Sequence, residues 1–334
     1  MLYSFENNII EINNLYDGSI RRFDLSSFSI GKKLDVNHVT ATRDRSNVAL
    51  SFQVVDRDEI QIVKRHNEGV LLCDMNTGDI TVLSDKTCHD VIFDRTDNDK
   101  LYINTNGTIE SLCVTDKTIN KIYKFRNFVE APIEMKQSED GKYLLFHKYK
   151  SDNKTMHLIN LEANALESVI GSTFVYDFLN NNEIVHALMG GIKVYNITNK
   201  KNVSAITKAN KLLKLGKNSA DVHQISEALQ ITGQQDYVGL NDVTDPHVFC
   251  ERIYFKVRIT SKQKDFCKWC SVDKNFDDFQ IHFSNPYGYG RGRIHSYGDN
   301  DRKIFVIFCG YKGCHVFDGD EVYALDECIP VLMN

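Results

Sequence analysis

Short apolar stretches alternate with polar turns along the chain, and three consecutive segments repeat the same order of four strands. In the first segment, strands are predicted over 89–94, 101–104, 108–114 and 119–125, with turns at 97–100 and 106–107. The segments over 132–170 and 174–206 follow the same plan. Strand-length apolar runs bounded by Asp, Asn and Gly are typical of antiparallel hairpins. We therefore expect a chain built from four-stranded antiparallel sheets.

A polar residue recurs where an apolar strand runs into a turn. We place seven such markers in the chain, at Asp24, Asp74, Cys113, Asn160, Asn196, Cys270 and Asp318. Four short strands in each repeat of about 40–50 residues are typical of a β-propeller. A single sheet of this kind cannot bury both its faces, whereas sheets stacked side by side can. The pattern predicts an all-β, seven-bladed β-propeller, with a double β-sandwich as the alternative.

One segment carries a family resemblance. The unit over 89–125 resembles a degenerate WD repeat, because His89 falls where that family has its Gly-His pair. The turn over 97–100 matches the connection between strands in that repeat, and Leu112-Cys113 stands at the position of its Trp-Asp dipeptide. The resemblance implies a propeller that serves as an interaction platform.

Two further histidines extend this resemblance, and one feature departs from it. His38 and His295 resemble the histidine that precedes a strand in WD repeats. No Trp-Asp dipeptide is present, since the single tryptophan, Trp269, is followed by Cys270. The resemblance therefore concerns architecture more than close kinship.

The chain shows no boundary between independent domains. It contains four prolines and no Pro-rich or Gly/Ser-rich linker, so we expect a single propeller domain over 1–334. The interval between the fifth and sixth markers is the longest, and it predicts an insertion at about 208–235 between blades five and six. Val222, Ile225 and Leu229 have helical spacing there, and Ser219 is a suitable N-cap, so we expect a short helix.

Composition narrows the function classes. The 334 residues include 40 Lys+Arg and 45 Asp+Glu, a formal charge of −5, which disfavours a protein that coats nucleic acid. No apolar run approaches the roughly 20 residues of a membrane-spanning helix, and the first residues show no secretory signal. The nine cysteines are scattered and odd in number, as expected for reduced thiols in the cytoplasm.

A zinc site is the sharpest metal candidate. His247 and Cys250 precede Cys267 and Cys270 with a spacing similar to that of zinc ribbons. Both pairs lie in predicted strands, where residues three apart point to opposite faces rather than converging. We therefore expect no metal and no other cofactor, although the spacing leaves a zinc site as an alternative.

Other chemical groups give no catalytic assignment. Cys314 and His315 are neighbours on a strand and face opposite ways, so they and Cys309 are interpreted as structural residues. Pairs of carboxylates could serve a glycosidase, but most lie in turns, where Asp caps backbone groups. These pairs are Asp242 with Asp245, Asp277 with Asp278, and Asp299 with Asp301.

The segment over 285–295 is the most distinctive binding candidate. It places Tyr287, Tyr289, Arg291 and Arg293 on a glycine frame, and we refer to these four residues as the Tyr/Arg/Gly loop. Tyrosine offers a large contact area at low entropic cost, and arginine offers forked donors. Lys256 and Arg258 belong to a nearby basic stretch that completes the predicted partner-binding set.

These observations favour a cytoplasmic, non-catalytic protein-interaction module: a scaffold, an adaptor or a stoichiometric inhibitor. Its partner would be another protein, with no membrane contact and with nucleic acid disfavoured. The first alternative is a hydrolase or lyase acting on a sugar or lactone at the central channel, using first-strand residues such as His38, His89, Asp177 and His295. A weaker alternative is RNA binding through the Tyr/Arg/Gly loop.

Overall fold

The described part of the chain is almost entirely β-strand. The computed structural model describes residues 1–14, 17–29, 33–57, 63–105, 107–125, 132–148, 155–171, 176–188, 191–206, 237–249, 252–261, 265–275, 280–284, 293–298, 303–308, 314–318, 321–325, 329–330 and 332–333. Within these ranges the strands form seven sheets of four or five strands, and the single helix, α1, covers Ser26–Ser29. The prediction of an all-β chain is confirmed. The predicted insertion at about 208–235 lies outside the described residues.

The chain divides into two compact units. Unit 1 comprises Met1–Gly171, Lys312–Cys314 and Ala324–Asn334, and unit 2 comprises Ser172–Tyr311 and His315–Tyr323.

Four sheets belong to unit 1. Their strands in chain order are β1 (Leu2–Glu6), β2 (Ile9–Asn13), β3 (Ile20–Asp24); β4 (Lys33–Ala41), β5 (Asn47–Arg57), β6 (Val63–Asp74), β7 (Ile80–Ser84); β8 (Asp90–Phe93), β9 (Lys100–Thr105), β10 (Thr108–Cys113), β11 (Ile119–Lys124); and β12 (Pro132–Gln137), β13 (Tyr143–Lys148), β14 (Thr155–Asn160), β15 (Ala165–Ile170). Consecutive strands of each sheet pair antiparallel.

Unit 2 contains two further sheets and most of a third. Their strands are β16 (Tyr176–Asn180), β17 (Glu183–Leu188), β18 (Gly191–Asn196), β19 (Lys201–Ile206); β20 (Tyr237–Phe249), β21 (Arg252–Ser261), β22 (Asp265–Asp273), β23 (Gln280–Ser284); and β24 (Arg293–Gly298), β25 (Lys303–Phe308), β26 (Cys314–Asp318), β27 (Glu321–Leu325). The three predicted four-stranded segments correspond to β8–β11, β12–β15 and β16–β19, so their strand order is confirmed.

The last described strands of the chain join sheets made by its first residues. β28 (Ile329–Pro330) pairs antiparallel with β1, with Leu2 opposite Pro330 and Tyr3 opposite Ile329. β29 (Leu332–Met333) pairs parallel with β4. The sheet that contains β1 therefore has the order β28-β1-β2-β3, and β1 is its second strand.

The turn after the third strand has the same geometry in five sheets. The residue four positions after the start of this turn has positive φ in each case: Gly18, Gly78, Lys117, Asn164 and Lys200. The first turn residue caps the turn, as when Oδ1 of Asp74 accepts hydrogen bonds from the amides of Asn76 and Thr77. An Asx side chain that binds backbone amides two and three residues ahead explains the marker at Asp74 and at Asn160, whereas Cys113 is not an Asx residue.

Two of the seven predicted markers were placed at the wrong position. Asp24 ends β3, the fourth strand of its sheet, and the equivalent of Asp74 is Asn14, whose carbonyl accepts from the amide of Gly18. Cys270 lies inside β22, and the turn begins at Asp273, whose Oδ1 accepts from the amide of Asn275. The local sequences at Asp24 and at Cys270 resemble those at the other markers. The hydrogen bonds of the strands and turns nevertheless place the turn elsewhere.

Both faces of a sheet are buried in unit 1. On β8, the side chains of Val91 and Phe93 pack in a core with Val70 of the preceding sheet. Ile92 points to the other face and packs in a core with Met135 of the following sheet. Alternation along a strand thus places apolar groups on both sides. This arrangement differs from a two-sheet sandwich, in which each sheet buries one face.

One glycine is required by close packing within the second sheet. Gly69 lies in β6, and a Cβ atom at this position would overlap the backbone carbonyl oxygen of Ser84 at the end of β7. The absent side chain allows the two strands to approach at a point where their register shifts.

Within the part of the chain that the structure describes, no helix has the length and apolar character needed to cross a membrane.

Candidate functional site

Two acid–histidine pairs connect first strands of different sheets in the described part of the chain, and one of these pairs lies in unit 1. Nδ1 of His38, on β4, lies 2.9 Å from Oδ1 of Asp90, on β8. The same nitrogen lies 3.1 Å from the carbonyl oxygen of Val91. Since both neighbours are acceptors, Nδ1 carries the hydrogen. Oδ2 of Asp90 accepts a 2.8 Å hydrogen bond from the amide of Met135, on β12. One carboxylate therefore connects the first strands of three sheets.

Burial limits what this first pair can do. Asp90 is 2% exposed, and the side chain of His38 is 19% exposed. The nearby thiol of Cys88 donates to the carbonyl oxygen of Asp90 at 3.1 Å. Burial raises the pKa of Cys88 far above its ordinary value, so it stays a thiol at neutral pH. The His38–Asp90 pair therefore connects strands, and the neighbouring thiol of Cys88 does not act as a nucleophile.

The second acid–histidine pair lies in unit 2. Nδ1 of His247, on β20, lies 2.9 Å from Oδ2 of Asp177, on β16. The same Oδ2 accepts from the amide of Val248 at 3.0 Å, and Oδ1 accepts from the amide of Phe178 at 3.0 Å. The side chains of His247 and Asp177 are 17% and 15% exposed. The carboxylate of Asp177 fixes the orientation of the His247 ring, with Nδ1 toward the acid and Nε2 on the opposite side of the ring. A histidine oriented in this way can serve as a general base.

The sequence identified half of each pair. His38 and Asp177 were predicted first-strand residues, whereas their partners Asp90 and His247 were missed in this role. His89 lies just before β8, and its backbone amide donates to the carbonyl oxygen of Asn104. His295 lies on β24. Pairing between strands of neighbouring sheets depends on tertiary packing, so no spacing in the sequence marks it.

The predicted zinc ligands are not brought together as a set among the described residues. His247 is paired with Asp177, and Cys270 is a buried free cysteine on β22. Cys267 lies on the same strand, and Cys250 lies outside the described residues. Over the described ranges, no group of three or more potential metal-binding side chains was found.

Most of the predicted binding loop falls outside the described residues. Tyr287, Tyr289 and Arg291 lie there, and Arg293 is the first residue of β24. Lys256 and Arg258 lie on β21, and Lys256 is buried, with 7% exposure. Of the remaining candidates, Asp242 and Asp245 lie on β20 and Cys314 and His315 on β26, while Cys309, Asp277, Asp278, Asp299 and Asp301 lie outside the described residues.

An open cleft lined by polar and charged residues in unit 1 was not anticipated from the sequence. It has a volume of about 490 Å³ and is lined by Arg43, Asp44, Arg95, Thr96 and Asn98. The residues come from the turn between β4 and β5 and the turn between β8 and β9. Neither turn carries a recognisable motif, and the two arginines are far apart in the sequence. No sequence pattern therefore marks this cleft. We refer to this site as the arginine cleft.

Comparison with known proteins identifies the fold. No family model and no curated protein matches the sequence. An oligogalacturonate lyase in complex with manganese superposes with a TM-score of 0.61 at 9% identity, covering 98% of this chain and 85% of the lyase. The β-propeller domain of Myceliophteria thermophila Cps50 (Swd1) gives 0.50 at 8% identity, covering 97% of this chain and 96% of that domain. The WD40 domain of Toxoplasma gondii coronin gives 0.51 at 8% identity, covering 89% and 71%.

These similarities show a β-propeller fold. The coronin WD40 domain is among the similar structures, so the resemblance noted for the 89–125 unit is supported at the level of fold alone. At such low identity the comparisons show the fold alone, and the similarity to a lyase does not establish catalysis in this chain.

Proposed function

We propose that the seven sheets are the blades of one propeller domain and that this domain is a cytoplasmic, non-catalytic protein-interaction module. It would act as a scaffold, an adaptor or a stoichiometric inhibitor. One observation carries the proposal: the acids on the first strands, Asp90 and Asp177, are committed to backbone amides of neighbouring first strands. A carboxylate held in this way stabilises the strand arrangement, which favours a structural role for it over proton transfer.

The state of the cysteines supports the cytoplasmic assignment. Cys73, Cys88, Cys113 and Cys270 are free thiols in the described part of the chain. Burial raises the pKa of Cys73 to about 12, so this group is an inert packing residue. Three of these thiols are buried and Cys113 is partly exposed, and unpaired thiols of this kind suit a reducing compartment.

The contact surface in this proposal consists of the Tyr/Arg/Gly loop and Arg258 on β21. Lys256 is buried in β21, so its role would be to support this strand from within rather than to meet a partner. Loops between strands can present tyrosine and arginine side chains without cost to the core, and these residue types are frequent at the centres of protein interfaces.

The test is affinity capture from the native cell, followed by mass spectrometry. The triple variant Tyr289→Ala/Arg291→Ala/Arg293→Ala should lose the partners that the wild type retains. Lys121→Ala, at an exposed position of β11, is the matched control and should retain them. Equal recovery of every partner by the triple variant and the wild type would contradict the proposed surface.

A lyase or hydrolase acting on a sugar or lactone is the second candidate, and the His247–Asp177 pair favours it. Both side chains are partly exposed, and the pair is oriented as a general base requires. The similar oligogalacturonate lyase is an enzyme with this fold. The purified protein should be incubated with oligogalacturonates, with and without manganese. Release of unsaturated product by the wild type but not by His247→Gln would support catalysis, and no product with either would remove this candidate.

A further inference from the structure

The arginine cleft is formed by equivalent positions of two hairpin turns. The turn from Thr42 to Asn47 is closed by a 2.9 Å hydrogen bond between their backbones, and the turn that starts at Asp94 is closed similarly at Lys100, at 2.8 Å. Arg43 and Arg95 each follow the first residue of their turn. In the third turn of this kind, which begins at Ser138, the same position is Glu139. Two adjacent arginines are therefore a local feature and do not result from the repeat.

The carboxylates near this cleft are occupied within the turns. Oδ1 of Asp44 accepts from the amide and the hydroxyl of Ser46 at 3.0 and 2.8 Å, and Oδ2 accepts from Nδ2 of Asn98 at 3.1 Å. Partial burial alone would raise the pKa of Asp44, but hydrogen bonds from Thr42 and Ser46 outweigh it and hold the pKa below its ordinary value. Asp44 thus joins the two turns and fixes the shape of the cleft.

A second acid is directed inward from the same region. Asp94 accepts from the hydroxyl of Tyr102 at 2.7 Å and from the amide and hydroxyl of Thr96 at 2.8 and 2.7 Å. Asp94 is therefore engaged by these donors, and Nζ of Lys100 lies 3.7 Å from its Oδ2. Arg43, in contrast, is exposed at the mouth of the cleft, and its guanidinium is accessible to an incoming group.

We propose that the arginine cleft binds an acidic segment of a protein partner through carboxylate side chains. Guanidinium groups form forked, charge-assisted hydrogen bonds with carboxylates, and a volume of about 490 Å³ is sufficient for a few side chains. A short acidic segment is favoured over RNA because the cleft offers two arginines with Asp44 beside them, which is enough for one or two carboxylates but not for a run of phosphates. This proposal goes beyond the proposed function, since it does not depend on the Tyr/Arg/Gly loop.

The experiment measures binding of a fluorescein-labelled hexaglutamate peptide by fluorescence anisotropy at low salt. Wild type should bind it saturably, and Arg43→Gln should weaken binding about tenfold because one charge-assisted contact is lost. Lys121→Gln removes the same charge from an exposed strand position outside the cleft and should change affinity by less than about twofold. Arg95→Lys keeps the charge but removes the fork, so it should also weaken binding.

Three results would overturn the proposal. They are no saturable binding by the wild type, equal weakening by Lys121→Gln and Arg43→Gln, and stronger binding of a hexauridine RNA than of hexaglutamate. Thermal unfolding of each variant establishes that the fold is retained. The Tyr289→Ala/Arg291→Ala/Arg293→Ala variant should bind hexaglutamate like the wild type, so a failure of the Tyr/Arg/Gly loop proposal is distinguished from a failure at the cleft.

Discussion

Oδ2 of Asp90 accepts a 2.8 Å hydrogen bond from the backbone amide of Met135, although the two residues lie on the first strands of different sheets. Oδ1 of the same carboxylate faces the ring of His38 on a third sheet. A buried carboxylate with partners on both sides stabilises the spacing of these strands, because separating them would leave an amide and a charge unpaired.

Replacing Asp90 should reveal this connection. Asp90→Ala leaves the amide of Met135 without its acceptor and should cost about 2 kcal/mol, measured from the shift of the urea unfolding midpoint. Asp90→Asn keeps an acceptor and should cost less. Asp79→Ala, at an exposed turn position, is the control and should change stability by less than about 0.5 kcal/mol. Equal midpoints for Asp90→Ala and Asp79→Ala would exclude a strand-connecting role.

The buried ring of His186 should make stability depend on pH. Burial lowers the pKa of His186, and the positive charge of Lys193 acts in the same direction, although Nε2 has a 2.8 Å contact with Oδ1 of Asn202. The unfolded chain takes up a proton near the ordinary histidine pKa of about 6.5, while the folded protein does not. The stabilising effect is therefore complete above about pH 6.5 and is lost as the pH falls toward the lower folded-state value.

This pH effect can be isolated with His186→Gln, which cannot be protonated. Unfolding midpoints of wild type and variant should be compared at about pH 7.5 and about pH 5.5. The wild type should lose more stability than the variant over this interval. The values at the higher pH serve as the control for the packing cost of the substitution, and parallel pH profiles would refute the assignment.

Gly69 and Gly171 form a matched pair of substitutions to alanine. A Cβ atom at position 69 overlaps the carbonyl oxygen of Ser84, whereas a Cβ atom at position 171 meets nothing within 4 Å. Because a backbone atom cannot rotate away, Gly69→Ala should lower stability by about 2 kcal/mol or more in thermal or urea unfolding. Gly171→Ala should be nearly neutral. A neutral Gly69→Ala variant would mean that β6 and β7 separate at little cost.

Removing residues 329–334 tests the joining of distant chain segments. This deletion leaves β1 without its partner β28, so the buried side chains of Leu2 and Tyr3 become accessible from that edge. We expect a melting temperature lower by several degrees and partial rescue by a synthetic peptide of residues 326–334. Deleting 332–334 removes β29 alone and should cost less. An unchanged melting temperature after the longer deletion would contradict the pairing.

The sequence was sufficient to predict the sheets whose strands depend on a local pattern of residues. The strands from β8 to β19 follow the predicted order because each hairpin combines an apolar alternation with a turn that Asx residues favour. The prediction was wrong at Asp24, because a polar residue after the fourth strand looks the same as one after the third. β28 is too short for any periodicity to reveal, so its pairing with β1 could not be foreseen.

The candidate sites were less accessible to prediction than the strands. His38 and Asp177 could be recognised as first-strand polar residues, but their partners lie on strands of other sheets. Arg43 and Arg95 meet because two turns are neighbours in space, and their separation in sequence gives no indication of it. Contacts between sheets are set by tertiary packing, which local propensity does not encode.

The pairing of Leu2 with Pro330 also constrains how the protein is made on the ribosome. At typical elongation rates, the strand that completes the amino-terminal sheet leaves the exit tunnel on the order of tens of seconds after its neighbours. Throughout that time, the amino-terminal sheet offers an open row of backbone donors and acceptors, a surface to which other nascent chains can add. Translation speed and holdase chaperones should therefore influence the yield of soluble protein more strongly than amino-acid changes at exposed positions.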